Sequence, residues 1–225
     1  MISLQHISGL PITLTKRGLI FSSKLEHDPV EKRHYAGNEE FFMPHTRTLA
    51  IPKPLYYIYR NVRFPSHTQL FRKQGIRYDI TVLQYGTIGP EAVRTIGHIH
   101  KRIGSTRPAE LYQVLHGQGL FYLQHATKKE IILVRAEEGS YVHIPGVYGH
   151  ITIQASRGTP LVIANIFTAK KHSSDYDFFR RTHGPALFPV WDKQKLTFKK
   201  NPRLSGYTAK KITAQKNNAP LYPFE

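Results

Sequence analysis

Gly97-His-Ile-His100, Glu110-Leu-Tyr-Gln-Val-Leu-His-Gly-Gln-Gly119 and Gly139-Ser-Tyr-Val-His-Ile-Pro-Gly-Val-Tyr-Gly-His150 lie within one run of short apolar segments separated by turn residues. That run extends from about Tyr78 to Phe167. Its alternating or continuous apolar pieces read as eight strands: Tyr78 to Tyr85, Ala92 to His100, Glu110 to Leu115, Leu120 to Gln124, Ile131 to Val134, Tyr141 to Ile144, Ile151 to Gln154 and Leu161 to Phe167. Between them stand HGQG, ATKK, EEGS, PGVYG and SRGTP, all rich in residues that tolerate tight turns. No helical period intrudes, and the rhythm predicts an all-β double-sheet roll.

The histidines and the glutamate recur at strand ends. His98 and His100 are two apart, so the period of a strand points both imidazoles to one face. Glu110 opens the next strand, and His150 follows a Pro-Gly turn, so a closed sheet brings all four to one mouth. Three neutral imidazoles and a carboxylate suit one divalent cation, Fe2+, Mn2+, Ni2+ or Zn2+, with positions left open for substrate oxygens. A His-x-His pair alone arises by chance in a chain with 13 histidines, and a strand glutamate often only pairs with a base. The fixed order of the four segments is what favours the metal.

Outside this region the first seventy residues are irregular, broken by Pro44, Pro52, Pro54 and Pro65, with Leu19 to Phe21 and Leu55 to Tyr59 as strand pieces that extend the sheets. After Phe167, Ser174 to Arg181 reads as a helical turn or two. Lys193 to Asn218, Lys-rich and free of acid, reads as a surface tail. The expected division is therefore an N-terminal extension on the barrel (1–70), the barrel with its metal site (71–168), a closing segment (169–192) and a basic C-terminal tail (193–225).

Composition limits the remaining classes. The 225 residues, 40% hydrophobic with 26 aromatics, carry enough apolar surface for one core and exclude global disorder. The absence of cysteine excludes disulfides, a thiol nucleophile and thiolate metal sites. No apolar run approaches the roughly 20 residues of a membrane helix, and the start lacks the basic-then-apolar form of a signal peptide. The expectation is a cytoplasmic protein with no membrane partner. The formal net charge of +17 divides into +1 over residues 1–50, +8 over 51–168 and +8 over 169–225. Charge alone allows non-specific nucleic-acid binding through the basic tail, but no nucleic-acid motif is present and a solvated basic surface is the favoured reading.

These segments resemble the cupin superfamily, whose second motif is matched by Gly139 to His150, and more narrowly the cupin-type glucose-6-phosphate isomerases. The narrower match rests on Thr81-Val-Leu-Gln-Tyr-Gly-Thr-Ile-Gly89, Thr95-Ile-Gly-His-Ile-His100, Ala109 to Gly119 with Phe-Tyr-Leu-Gln124, and Ala164-Asn-Ile-Phe followed by His172 and Asp175-Tyr176. It covers roughly residues 55 to 190 and implies a jelly-roll barrel that interconverts glucose 6-phosphate and fructose 6-phosphate. It further implies His98, His100, Glu110 and His150 as metal ligands, and Thr81, Thr95, Gly97 and Tyr112 as contacts to the sugar phosphate. Glu110 is implied as proton shuttle, with His172 and Tyr176 assisting ring opening. The loop Lys101 to Ala109 is longer than the family's, and Phe167 stands where the family tends to have Tyr. Cupin barrels commonly pair, so a homodimer is expected. The same ligand set would serve a dioxygenase or a sugar-phosphate epimerase, and a non-catalytic basic nucleic-acid-binding cupin is the alternative from another class.

Overall fold

The computed structural model describes residues 1–44, 51–168, 173–217 and 219–224. Twelve strands build the barrel and its extensions: β1 (Glu31–Arg33), β2 (Tyr56–Tyr59), β3 (Ile76–Leu83), β4 (Glu110–His116), β5 (Gln118–His125), β6 (Glu130–Glu137), β7 (Tyr141–Ile144), β8 (Tyr148–Gln154), β9 (Leu161–Thr168), β10 (Leu187–Asp192), β11 (Lys195–Lys200) and β12 (Thr208–Thr213). One sheet has the order β7-β4-β9-β3-β2-β1, and a second has β8-β5-β6-β12. All pairings in both are antiparallel except β6 with β12. From β4 to β9 the chain crosses between the two sheets four times, at β4/β5, β6/β7, β7/β8 and β8/β9, which is the double-stranded β-helix, or jelly roll, that the turn rhythm predicts.

Alternation along the strands makes two cores. Tyr112 and Val114 of β4, Phe121 and Leu123 of β5, and Leu133 of β6 face the barrel interior. Tyr78, Ile80 and Val82 of β3 point out of the barrel. They pack with Ile12 and Leu14 of a small N-terminal sheet, with Leu4, Ile7 and Leu10 in and around the short helix Gln5–Ser8, with Phe71 of the helix Thr68–Gln74, and with Leu221 and Tyr222. Strand β3 is buried on both faces for this reason, and it reads as a near-continuous apolar run.

The segment expected to be one strand from Ala92 to His100 is instead two short pieces, Glu91–Ala92 and Ile99–His100, joined by chain that follows β8 through isolated bridges at Arg94 and His98 and backbone hydrogen bonds at Val93 and Thr95. Two residues interrupt the ladder. Gly97 sits at φ +82°, and Arg94, fully buried, turns inward to Glu91 (2.5 Å) and to the carbonyl of Phe41 (2.5 Å). Residues 193–225 are also not a surface tail. Lys195 to Lys200 completes a hairpin with β10, Thr208 to Thr213 adds a parallel strand to β6, and Leu221 and Tyr222 are 8% and 6% exposed. The division at residue 193 therefore cuts through folded structure. Backbone bonds to the partner strand hold β12, whose side chains are all exposed, so its sequence carries no apolar period.

Candidate metal centre

Three structural devices bring the ligands together. His98 and His150 exchange backbone hydrogen bonds (His98 N to His150 O at 3.2 Å, His150 N to His98 O at 2.9 Å), which fixes the entering chain against β8. His100 follows two residues later, with its ring centroid 5.2 Å from that of His98. Glu110 begins β4, and between it and His100 the loop 101–109 folds back on itself through the pairing of Ile103 with Thr106. The long loop thereby orients a ligand. Nδ1–H of His100 donates to the carbonyl of Pro108 at 2.8 Å, which leaves Nε2 as the ring nitrogen that faces Glu110, and Arg107 donates to the carbonyl of His100.

The ligand atoms of His98, His100, Glu110 and His150 lie within 4.8 Å of one another. Ligands about 2.1 Å from a common ion stand roughly 3 to 4 Å apart, so a small contraction closes the site around a cation. The donor set, three imidazoles and one carboxylate, fits a borderline divalent ion. Glu110 is the hub. Its oxygens meet Nε2 of His100 at 3.3 Å and Nε2 of His150 at 3.2 Å, accept the Tyr112 hydroxyl at 2.6 Å, and lie 3.5 Å from the Asn165 amide. Burial opposes its charge, yet the hydrogen bonds and charges of His100 and His150 outweigh burial and hold the carboxyl well below its ordinary range. His100 moves oppositely: burial works against its cation, and the Glu110 carboxylate still raises it. Burial first, and then the Glu110 charge, push the Tyr112 phenol well above its ordinary value, so it is a donor and not a base.

One cavity is lined by His98, Glu110, His150, Tyr112, Thr81, Thr95, Gly97 and Tyr176, so these residues of the sequence reading meet in space. The ring of Tyr176 lies 5.7 Å from that of His98. His172 lies outside the described residues. A Cβ on Gly97 would stand 2.5 Å from Cγ1 of Ile151 and 2.9 Å from the ring of Phe179, so only glycine lets the chain before His98 approach β8 this closely.

Residues not singled out from the sequence complete the wall. Asn165 is the register partner of Tyr112 across β4 and β9, which carries its amide to Glu110. Asp79, 2% exposed, binds Arg60 (3.1 Å) and Arg77 (2.8 Å), while Arg33 and Arg60 both hold Glu31. Arg33, Arg60 and Asp79 line the same cavity. An acid inside the apolar run Ile76 to Leu83 was a readable signal, because a buried carboxylate demands a cation.

A family model described as Glucose-6-phosphate isomerase (GPI) matches residues 38–204. Among curated proteins, none matches this chain. Among solved structures, the chain is similar to vicilin from hazelnut, Corylus avellana (13% identity, TM-score 0.42, 58% of this chain and 33% of that one). It is also similar to vicilin from tomato, Solanum lycopersicum (11%, 0.41, 56% and 30%), and to an oxalate oxidase (13%, 0.41, 58% and 62%). It spans about a third of the length of the vicilins. The family match takes in the cavity wall apart from Arg33, all four potential ligands and the hairpin of β10 and β11, and the chain belongs to the cupin-type glucose-6-phosphate isomerase family.

Proposed function

We propose that this protein is a metal-dependent glucose-6-phosphate isomerase, which moves one hydrogen between C1 and C2 of the sugar. The observation that carries the reading is the convergence of His98, His100, Glu110 and His150 beside a cavity lined by Thr81, Thr95, Gly97 and Tyr112, in a chain from this family. When bound to His98, His100, Glu110 and His150, a divalent cation supplies a Lewis acid for the two oxygens at the reacting end.

The remaining work belongs to the protein. Thr95 Oγ1 accepts the amide of Thr152 at 3.0 Å, which orients its own proton to donate outward, and Thr81 on β3 adds a second hydroxyl. These groups and the Gly97 amide suit a phosphate, whose binding energy fixes the sugar for reaction at its far end. Arg33 and Arg60, held in place by Glu31 and Asp79, present guanidinium groups on the same wall. The Tyr112 hydroxyl locks the Glu110 carboxylate in one orientation. Glu110 is the acid placed to carry the proton on an enediol route, with Tyr176 beside His98 to assist ring opening.

The test is a coupled assay of fructose 6-phosphate formed from glucose 6-phosphate, with unphosphorylated glucose in parallel. The reading expects turnover of the phosphate ester at least 100-fold more efficient by kcat/KM. No turnover of any aldose phosphate would overturn it. Deuterium entering C1 of the fructose 6-phosphate from the solvent, abolished in Glu110→Gln, marks the enediol route; full transfer of the substrate's C2 hydrogen to C1 would assign Glu110 to holding the cation only.

A further inference from the structure

The metal centre leaves most of the positive charge without a purpose. Residues 193–216 carry eight Lys and Arg and no carboxylate, and the structure folds them into β11, β12 and their turns. A groove of about 630 Å³ runs between the hairpin of β10 and β11 and the neighbouring pair β6 and β12. It shares no lining residue with the metal cavity.

Its surface combines two chemistries. Trp191, Leu196 and Phe198, each half-buried, line it from the hairpin, and Ile212, 41% exposed, lines it from β12. Arg135, Lys195 and Lys211 line the same groove, all three exposed, and among the described residues none of them makes an ion pair. No carboxylate lines it. Asp192 is the register partner of Lys195, and Glu137, two residues from Arg135, is already held by Lys216 at 2.9 Å. The Arg157 guanidinium, 5.6 Å from the Trp191 ring, extends the positive field at the Trp191 end.

We propose that this groove binds single-stranded nucleic acid, with phosphates on Arg135, Lys195 and Lys211 and bases against Trp191 and Phe198. Charge complementarity selects a polyanion, and aromatic rings between cations are what unpaired bases stack on. A duplex hides its bases and an acidic peptide has no ring at each anion, so both use only half of this surface. The inference does not depend on the isomerase reading, because the two sites share no residue.

Trp191 is the only tryptophan of the chain and therefore reports directly on the groove. The experiment titrates full-length protein with a twelve-residue oligothymidylate, following tryptophan fluorescence and, separately, polarisation of a labelled strand. The proposal expects quenching on binding. For three phosphate contacts on a single strand it expects a log–log salt slope of about −2, near 15- to 20-fold weaker binding between 50 and 200 mM salt. Lys195→Gln with Lys211→Gln should weaken binding at least tenfold, and Phe198→Leu, which keeps the packing, at least fivefold, while isomerase turnover is unchanged. Lys16→Gln with Arg17→Gln, on the N-terminal sheet, should have little effect. Any of four results would overturn the proposal: no binding at 50 mM salt, equal loss in the N-terminal control, a duplex bound as tightly as the single strand, or displacement of the strand by polyglutamate of equal charge, which would make the partner an acidic protein segment.

Discussion

Deleting residues 219–225 tests whether the C-terminal end is part of the fold. Two buried side chains leave with it, Leu221 and Tyr222, 8% and 6% exposed. At about 1.5–3 kcal/mol for each buried side chain, that costs about 3–6 kcal/mol. A second loss falls on Gln113, which is fully buried on β4, the strand that carries Glu110 and Tyr112. Its amide donates to the Ala219 carbonyl at 3.0 Å and its oxygen accepts the Leu221 amide at 2.9 Å. Stranding that donor and acceptor costs about 1–3 kcal/mol each. The total of about 5–12 kcal/mol approaches the whole stability of an ordinary domain, so the truncated chain should be largely unfolded at 25 °C. Leu221→Ala alone, a large-to-small change in a core, should cost about 2–4 kcal/mol and leave a folded protein. Urea unfolding followed by circular dichroism measures both. A truncated protein that unfolds cooperatively within about 1 kcal/mol of the full chain would refute the packing argument.

Three further outcomes follow from the site. Tyr112→Phe removes the 2.6 Å hydrogen bond to Glu110 and should weaken metal affinity about 10- to 100-fold by calorimetry, as loss of such orienting partners does; unchanged affinity would separate Tyr112 from the metal. Metal needs neutral imidazole, and the Glu110 carboxylate holds His100 above its ordinary value in the metal-free protein. Affinity should therefore begin to fall at a higher pH than for an ordinary histidine as acid is added. The metal-free fold should run the other way, because the raised His100 stabilises it below the ordinary imidazole range and that stability is lost as pH rises through the raised value; melting scans at pH 6 and 8, with and without metal, read both signs. Gly97→Ala forces a Cβ to 2.5 Å from Ile151 at φ +82°, and should cost about 1–3 kcal/mol in stability and lower kcat/KM by displacing His98.

How legible the molecule was differs along the chain for physical reasons. Strands of the barrel from β4 to β9 were readable because each shows one face to an apolar core, and Tyr141 to Ile144 agrees end to end. The clustering of the four candidate ligands was readable because three histidines and a glutamate at strand ends have few other uses together. Glu110 opens its strand as expected, while β8 begins at Tyr148, three residues before the expected Ile151, and so includes His150. The stretch Ala92 to His100 misled because Arg94 looks like an outward residue in an alternating strand, and it is buried only through partners far away in sequence, such as Phe41. Lys193 to Asn218 misled because edge strands with exposed lysines share the composition of a solvated tail. Asn165 and Arg60 were beyond reach without the register that brings β9 beside β4 and the pairing that holds Arg60 to Asp79.

The central claim, that the cluster of His98, His100, Glu110 and His150 holds the cation on which isomerisation depends, is tested most directly by stripping and restoring metal. Protein treated exhaustively with a strong chelator, verified metal-free and still folded by circular dichroism, should show no conversion of glucose 6-phosphate. Activity should return on adding about one equivalent of Fe2+, Mn2+, Ni2+ or Zn2+ per chain, and His150→Ala, equally folded, should stay inactive under the same addition. Full turnover by verified metal-free protein, or by His150→Ala, would contradict the account.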